Sequence, residues 1–247
     1  MIYLHKPFGL TPLQAVEKLK AMYPEFTDKK LSYAGRLDPM AEGLLLILID
    51  DENKDRRKLE HFDKEYEFEA LLGIESDTYD LLGIPKLGNL DKVDTDKISE
   101  FVANSLGEVV QEYPPYSSIK VDGKPLYWWA RRNKKVIAPK KIINISKLEL
   151  NGQDLISSRR LGKIVSSKIA TVTGDFRQEE ILNGWKKLLL DLDQDFQVLR
   201  FGLTCSSGGY VRSLVHRLGQ FTGAGAVTFS INRTKIGVNK KLPIFYI

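Results

Sequence analysis

The sequence of 247 residues has little cysteine and histidine, with one copy of the first and three of the second. One cysteine excludes an internal disulfide, and the scattered histidines show none of the spacings by which His and Cys bind metal ions. The longest apolar run, residues 44–49, is far shorter than the ~20 residues that cross a bilayer, and the N-terminus carries no hydrophobic targeting segment. These absences predict a cytoplasmic protein that binds no metal and enters no membrane.

Acidic residues are almost missing from one long basic segment. The formal net charge is +5, and residues 120–147 contain nine Lys or Arg but a single acid, with Tyr127, Trp128 and Trp129 among them. Lys and Arg neutralise phosphates while aromatic rings stack on unpaired bases, so this composition favours a nucleic acid as the partner. The alternative is a solvated basic loop whose aromatic rings belong to the core.

No internal repeat, low-complexity tract or linker interrupts the chain, which predicts a single domain over residues 1–247. Capping signals predict a helix after Thr11 with a buried face of Leu13, Ala15, Val16 and Leu19, and a second helix from Asp94 to Gly107. Apolar or alternating segments predict strands over residues 44–49, 64–73, 108–114, 142–150, 164–173 and 196–205. Strands outnumber helices and do not alternate regularly with them, which indicates an α+β fold around a mostly antiparallel sheet.

An aspartate stands immediately before the most apolar strand. The segment "GRLDPMAEGLL" (35–45) places Asp38 in a turn that leads directly into the core. Asp before Pro is common in turns, because the side chain bonds its own backbone. The other interpretation is a functional carboxylate, since loops that feed a rigid sheet are frequent positions for active sites.

A second segment, "CSSGGYVRSL" (205–214), ends a strand and begins a helix. The helical spacing of the following apolar residues places Arg212 on the flank of the first turn. A helix N-terminus is already positive, so an arginine there indicates an anion close by, either a carboxylate or a phosphate. A surface arginine that reaches solvent is the alternative.

A third segment, "KEYEFEALLGIESDTYDLLG" (64–83), combines a strand with an acidic turn. Lys64 and Tyr66 lie on the strand, and Asp77 and Asp80 lie in the turn that follows. Acids in such turns commonly cap the backbone, and a strand tyrosine is commonly a core residue. These four residues are therefore candidates for either a structural or a functional role.

Six segments together resemble the ordered motifs of TruB-type pseudouridine synthases, which modify the TΨC loop of tRNA. Besides the three segments above, "KPFGLTP" (6–12), "PPYSSIKVDGKPLYWWAR" (114–131) and "INRTKIG" (231–237) match in order and extend the resemblance over nearly the whole chain. A set of motifs in order is far more specific than any single short pattern. The resemblance implies a pseudouridine synthase fold and an isomerase that converts a tRNA uridine to pseudouridine without a cofactor.

The resemblance also implies roles for four residues. Asp38 matches the aspartate of the family's GxLDP motif and would be the essential carboxylate, acting either as a nucleophile or as a base on a sugar proton. Arg212 would keep Asp38 ionised, and Asp80, at the last acid of the TDTxD motif, would hold Arg212. Tyr66 would stack on the flipped uracil and assist proton removal.

The partner implied by the resemblance is the T-arm loop of tRNA, bound by a monomer without an obligate protein partner. The basic segment 120–147 would be an insertion that closes over the loop, and the target base would be flipped out of its stack. The residues expected to contact RNA are Tyr33, Arg36, Lys64, Lys120, Tyr127, Arg131, Arg132, Lys134, Lys135 and Tyr210. The alternatives are an RNA-binding protein without catalysis, a pseudouridine synthase for another RNA, and a hydrolase of N-glycosidic bonds.

The chain departs from the family pattern at three places. Tyr33 stands where the family usually has a histidine, five residues before the aspartate. Ser207 and Gly209 replace a lysine and a threonine of the family's "CSKGTYIR". The sequence ends about ten residues after "INRTKIG", from which we expect that the C-terminal PUA domain of many relatives is missing and that RNA binding is correspondingly salt-sensitive.

Overall fold

A mixed sheet of nine strands forms the centre of the protein. The computed structural model describes residues 1–237 and 241–247. The strands of the sheet are β1 (Ile2–Lys6), β2 (Leu31–Ala34), β3 (Ala41–Ile49), β4 (Lys64–Leu72), β7 (Gly107–Glu112), β10 (Lys140–Ser157), β11 (Asp195–Cys205), β12 (Ala226–Ile236) and β13 (Ile244–Tyr246). Four short strands form two separate hairpins: β5 (Ile74–Ser76) with β6 (Pro85–Leu87), and β8 (Lys120–Val121) with β9 (Lys124–Pro125).

The strand order is β13-β1-β3-β12-β4-β11-β10-β7, with β2 paired to β3. Only the β1–β13 and β3–β12 pairs are parallel, and the other pairs of this sheet are antiparallel. The predicted α+β architecture with a mostly antiparallel sheet is therefore confirmed.

The described part of the chain contains seven α-helices. They are α1 (Pro12–Met22), α2 (Arg56–Glu60), α3 (Thr95–Ala103), α4 (Leu126–Ala130), α5 (Ser158–Thr171), α6 (Gln178–Leu189) and α7 (Val211–Thr222). Helix α7 lies against β12 and β4, and α5 and α6 pack on each other. No helix in residues 1–237 or 241–247 is both long enough and apolar enough to span a bilayer.

Helix α1 begins where its sequence predicts. The Thr11 hydroxyl accepts the Gln14 N–H at 3.2 Å, while the Gln14 side chain accepts the Thr11 N–H at 2.8 Å, a reciprocal capping box. Ala15 and Leu19 are buried as expected, but the expectation for Leu13 was wrong because it is 59% exposed. The buried face instead starts at Pro12, one residue earlier.

The strand predicted over residues 164–173 is a helix, which corrects the sequence interpretation. Residues 158–171 form α5, and its Leu161, Val165 and Ile169 recur every fourth residue on the buried side. Ser157 caps it by accepting the Arg160 N–H at 3.3 Å. The β-branched residues suggested a strand, but burial of an i, i+4 stripe against the sheet decides the local structure.

The helix predicted from Asp94 begins as expected and ends earlier. Asp94 caps α3 through the Asp96 N–H at 3.2 Å, but the helix ends at Ala103, because Gly107 already starts β7. Leu106 is consequently 47% exposed and is not part of the helix.

The basic segment 120–147 is divided by the fold. Residues 140–145 already belong to β10 and pair with both β7 and, at Ile145, β11. The part that projects from the sheet is therefore residues 113–139, which we call the basic arm. It contains the β8–β9 hairpin and α4.

Candidate active site

A cavity with a volume of about 700 Å³ lies where several parts of the chain meet, and four of these parts carry most of the predicted residues that line it. They are the loop between β2 and β3, the start of β4, the basic arm, and the connection from β11 to α7. A volume of this size is typical of pockets that enclose a small ligand. The cavity also contains the residues that the sequence motifs singled out.

Asp38 lies in the β2–β3 loop with its side chain 33% exposed to the cavity. Its Oδ2 accepts a hydrogen bond from Arg212 Nε at 2.8 Å and lies 2.7 Å from Arg212 Nη2. No hydrogen bond from a residue in 1–237 or 241–247 reaches the other oxygen, Oδ1. The carboxylate is thus fixed through Oδ2, and its side chain stays partly exposed in the cavity.

Arg212 is buried, with only 3% of its side chain exposed. Besides Asp38, its guanidinium donates through Nη1 to the Thr78 carbonyl at 2.8 Å and through Nη2 to the Tyr116 carbonyl at 3.1 Å. Asp80 Oδ2 lies 3.5 Å from Nε. The surface interpretation of Arg212 is excluded, because every edge of the guanidinium meets an acceptor.

Asp80, the second carboxylate beside Arg212, is itself held by hydrogen bonds within its own turn. Its Oδ1 accepts hydrogen bonds from the Thr78 hydroxyl at 2.7 Å and the Leu82 N–H at 2.8 Å. Burial raises the pKa of Asp80 to about 6, although Arg212 and the Thr78 hydroxyl both favour the ionised form. We call Asp38, Arg212, Asp80 and Thr78 the inner network.

The start of α7 is fixed by a side chain of β7. Gln111 accepts the Tyr210 N–H at 2.8 Å and donates to the Tyr210 carbonyl at 2.9 Å. This pair of bonds satisfies the backbone just before the helix, which begins at Val211 without a side-chain cap from its own N-terminal residue. Arg212, the second residue of α7, is thereby held in register with β7.

Tyr66 is buried in the wall of the cavity with 9% exposure. Burial raises the pKa of its phenol, and the positive charge of Arg233 opposes that shift. The ring stands beside the Asp38 loop, so both groups reach a ligand bound in the same space.

Arg233 is a site residue that the sequence analysis did not single out. It is 1% exposed and donates to three carbonyls around the Asp38 turn: Leu44 at 2.7 Å, Arg36 at 3.2 Å and Gly35 at 3.2 Å. The alternation of β12 carried a signal, because Arg233 falls on the same side of the strand as the buried Ile231. A charged residue in a core position of a strand indicates such a buried role.

Lys6 is the second residue that was missed. It is fully buried, and its ammonium donates to the Pro7 carbonyl at 2.9 Å and the Leu10 carbonyl at 2.8 Å. Burial lowers the pKa of Lys6 to about 7, with Asp38 as the largest opposing influence. The loop it holds supports Asp38 in turn, because the Gly9 N–H donates to the Pro39 carbonyl at 2.8 Å.

Two ion pairs join the basic arm and its neighbours at the entrance of the cavity. Arg131 contacts Asp175 at 3.3 Å, and Arg177 contacts Asp77 at 2.9 Å. The Arg177 guanidinium also lies 4.5 Å above the centre of the Tyr116 ring. We call these five residues the mouth; sequence analysis did not identify Asp175 or Arg177.

The residues expected to contact RNA are divided between the cavity and the surface. Those lining the cavity are Arg36, Lys64, Tyr127, Arg131 and Tyr210. Those that do not line it are Tyr33, Lys120, Arg132, Lys134 and Lys135. The cavity therefore brings together half of the predicted set.

Lys64 and Tyr33 are engaged within the protein. Lys64 is 5% exposed, and its ammonium donates to the carbonyls of Glu60 at 2.7 Å and Phe62 at 2.5 Å, so its position is structural. Tyr33 lies below Arg56, whose guanidinium is 5.3 Å from the ring centre. Arg56, and not Tyr33, reaches the cavity.

The three aromatic rings at the centre of the basic arm differ in how far they are exposed to solvent. Trp129 donates its indole N–H to the Val121 carbonyl at 3.1 Å. Trp128 is covered by Arg132 at 4.0 Å and approached by Lys124 at 5.7 Å, while Tyr127 is 45% exposed. One ring of the basic arm is thus exposed, and two are packed against neighbouring groups of the arm.

Among residues 1–237 and 241–247, no three His, Cys, Asp or Glu side chains are grouped so as to hold a metal ion. The only cysteine, Cys205, is buried, and burial raises its pKa to about 12. The charged and polar side chains that line the cavity are those of Asp, Glu, Arg, Lys, His, Ser, Thr and Tyr residues.

Comparison with known proteins agrees with this geometry. The model of the TruB family pseudouridylate synthase N-terminal domain matches residues 24–173. The chain is 31% identical over 235 residues to tRNA pseudouridine synthase B of Nitratidesulfovibrio vulgaris and 32% identical over 237 residues to that of Aromatoleum aromaticum. These alignments cover 94% and 96% of this chain, which spans 62% and 63% of the length of the two relatives.

Solved structures show the same fold. A crystal structure of a Cbf5-Nop10-Gar1 complex contains a chain that matches all of this one with a TM-score of 0.61 and 19% identity, over 51% of its own length. A structure of an H/ACA RNP bound to a substrate RNA containing 2'-deoxyuridine matches 98% of this chain, and 50% of its own, with a TM-score of 0.56 and 18% identity. The predicted pseudouridine synthase fold is therefore confirmed, and the chain belongs to the TruB family of pseudouridylate synthases.

Proposed function

We propose that this chain isomerises a uridine in the T loop of tRNA to pseudouridine, with Asp38 as the essential carboxylate. The observation that carries the proposal is the contact of Asp38 with Arg212. Its carboxylate is tied through Oδ2 to a buried cation and is one-third exposed in a cavity that Tyr66 also lines. A purely RNA-binding surface gains nothing from an acid placed where a polyanion enters, because the charges repel.

The reaction exchanges one glycosidic bond for another. The N1–C1′ bond breaks, the detached uracil rotates, and a C5–C1′ bond forms; C5 then loses its proton while N1 gains one, so the composition of the nucleotide is unchanged. Asp38 acts either by attack on C1′ or by removal of the C2′ proton, and both roles require the ionised carboxylate. Arg212 favours that form at the cavity wall.

Tyr66 fits the second half of the reaction. Its ring offers a face on which the detached uracil stacks, and its oxygen is a candidate acceptor for the C5 proton. Tyr66 accepts the C5 proton only after its phenol has given its own proton to N1 of the detached base or to water. Burial opposes that loss, and the positive charge of Arg233 favours the phenolate. Asp38 and Tyr66 both line the cavity, so both can act on a base that is bound there.

The target base must leave its stack to reach Asp38, which costs a few kcal/mol. Exposed cations on either side of the cavity are suited to hold the RNA backbone while this occurs. Arg36 lies on the Asp38 loop and Arg131 on the basic arm, and both line the cavity. The names of the curated relatives support tRNA as the RNA, and the resemblance of the motifs supports the T loop within it.

The test is carbodiimide labelling and primer extension on an unmodified tRNA transcript. We expect one stop at the T-loop uridine with the wild-type protein and with Asp28→Asn, which alters an exposed acid outside the cavity. Asp38→Asn should bind the tRNA with the same affinity or tighter but give no stop, since the amide provides neither nucleophile nor base.

The other outcomes identify the alternatives. Salt-sensitive binding without a stop indicates an RNA-binding protein, a stop in a different RNA indicates another target, and free uracil indicates hydrolysis of the glycosidic bond. A stop that persists in Asp38→Asn would contradict the assigned role of the carboxylate.

A deuterium label distinguishes the two roles of Asp38. If the carboxylate removes the C2′ proton, a substrate with deuterium at C2′ reacts several-fold more slowly in a single turnover. Attack on C1′ leaves that bond intact and gives a ratio close to one. Pseudouridine formation in the unlabelled substrate serves as the reference.

A further inference from the structure

The residue between Thr78 and Asp80 has an unusual backbone conformation. Tyr79 has a φ of 66°, in the left-handed region that bulky residues rarely occupy. Such a conformation persists only where surrounding contacts hold it. Its position directly between two members of the inner network makes those contacts important.

A stacked pair of rings supplies one of these contacts. The Tyr79 ring lies flat on the His216 imidazole, with 3.8 Å between the ring centres and 5° between the planes. Both rings are half-buried, and neither lines the cavity. The stack therefore acts on the loop itself and does not contact a base bound in the cavity.

Backbone hydrogen bonds hold the same turn from two other sides. The Tyr79 N–H donates to the Ser76 carbonyl at 3.2 Å, and the Tyr79 carbonyl accepts the Thr228 N–H of β12 at 3.0 Å. With the ring stacked on α7, Tyr79 is attached to its own loop, to the sheet and to the helix.

Helix α7 carries both the arginine and the stacking partner. His216 follows Arg212 by four residues, which places them one turn apart on adjacent parts of the helix surface. The loop contacts Arg212 through the Thr78 carbonyl and the Asp80 carboxylate, and it contacts His216 through the Tyr79 ring. Rotation of the turn away from one contact would disrupt the other.

We propose that Tyr79 and His216 are a positioning pair for the pseudouridine synthase reaction, whose stack holds the strained turn that aims the Thr78 carbonyl and the Asp80 carboxylate at Arg212. The inference rests on the proposed function. The motif that this loop resembles leaves the Tyr79 position open. Its effect reaches Asp38 only through Arg212.

The variants separate the ring from the backbone conformation. Tyr79→Asn removes the ring but tolerates a positive φ, and His216→Ala removes the partner. Tyr79→Phe and His216→Phe keep a stack of two rings and are the matched controls. We expect the first two to lower kcat about tenfold, the rate equivalent of the ~1.4 kcal/mol that such a ring pair contributes, with KM within about twofold.

The controls should retain kcat within about twofold, and Tyr79→Asn combined with His216→Ala should be no slower than either single variant. Additive losses would show that the rings act separately. Wild-type kcat in Tyr79→Asn and His216→Ala would overturn the proposal.

A second readout does not depend on catalysis. The Arg212 Nε–H, bonded to Asp38 at 2.8 Å, should give a slowly exchanging ¹H–¹⁵N NMR peak, assigned by its loss in Arg212→Lys. We expect the peak to persist in the two controls and to shift and exchange faster in Tyr79→Asn and His216→Ala. An unchanged peak in those variants would overturn the positioning role. If the wild-type protein makes no pseudouridine, the proposed function fails, and the NMR peak alone then tests whether the ring pair positions Arg212.

Discussion

The inner network and the mouth both pair arginine with aspartate, but they do so in opposite environments. Arg212 is 3% exposed and meets Asp80 at 6% exposure, whereas Arg131 is 33% exposed and its partner Asp175 is 83% exposed. A buried pair is expensive to break, because the remaining charge is left without solvent or partner. An exposed pair contributes little and exchanges readily with other ions.

The difference indicates a division of labour. The inner network must present Asp38 in one geometry throughout the reaction, so its members are bound to backbone groups as well as to each other. Under the proposed function RNA enters and leaves through the mouth, where phosphates can replace the Asp175 carboxylate as the partner of Arg131. Substitutions in the inner network should therefore change the free energy of unfolding and the reaction rate, whereas substitutions in the mouth should change the affinity for tRNA.

The largest effect is expected for Arg212→Met. The variant leaves Asp80 buried without its cation and removes the charge that favours ionised Asp38. We expect the free energy of unfolding to fall by about 3–5 kcal/mol and pseudouridine formation to drop below detection. Denaturant unfolding and single-turnover assays measure the two losses.

Its control is Arg200→Met, which breaks an exposed pair with Asp154 on the outer part of the sheet. That change should alter stability by less than about 1 kcal/mol and leave the rate unchanged. Equal losses of unfolding free energy and reaction rate in the two variants would show that the burial of Arg212 does not determine its effect on either quantity.

The next effect is expected for Arg233→Leu. The variant leaves three carbonyls around the Asp38 turn without their donor, at Gly35, Arg36 and Leu44. We expect a loss of about 3 kcal/mol in unfolding free energy and a lower kcat, because buried acceptors without partners are costly and the turn loosens. Lys235→Met, two residues along β12 and exposed, is the control and should change neither quantity by a measurable amount.

A weaker effect is expected from pH. The pKa of Asp80 is raised from 3.8 to about 6, so the folded protein binds this proton more tightly than the unfolded chain does. Asp80 therefore contributes most to stability below pH 4 and loses that contribution as the pH rises to about 6, where the ionised form that pairs with Arg212 appears.

Activity should follow the ionised form. We expect kcat to fall as the pH decreases below about 6 in the wild-type protein, while Asp80→Asn is slower at every pH and lacks that decrease. Single-turnover rates between pH 5 and 8 provide the comparison. The same decrease in Asp80→Asn would assign the titration to a different group.

Sequence patterns predicted much of the inner network but little of the mouth. Asp38, Asp80 and Arg212 stand in short motifs whose local chemistry left a structural role open, and the resemblance of these motifs to those of a family implied the network. Asp175 and Arg177 lie in an irregular loop before α6, and their partners are 44 and 100 residues away in the chain. No local pattern reports such a pairing, which depends on how the loops are placed by the sheet.

The fold shows a similar limit. The core strand at 44–49 was predicted from a short continuous apolar run, and the strand at 64–73 was predicted from its alternation. Residues 164–173 contain β-branched residues at helical spacing, and tertiary burial of that spacing makes them a helix. Arg233 was overlooked because its partners are backbone carbonyls, which leave no complementary residue in the sequence.

The smallest effect on stability, and the sharpest contrast with the inner network, is expected at the mouth. Arg131→Met should change the unfolding free energy by less than about 1 kcal/mol, yet weaken tRNA binding and reduce the slope of log Kd against log salt by about 1. Asp175→Asn removes the carboxylate of the same pair but keeps the bond from Arg131 to the Asp175 carbonyl at 2.6 Å, and it should tighten binding because it removes a negative charge beside the entering phosphates. Filter binding at several salt concentrations measures the affinity and its salt dependence for both variants. If the two variants weaken binding equally, the Arg131–Asp175 pair is structural, and the mouth resembles the inner network in this respect.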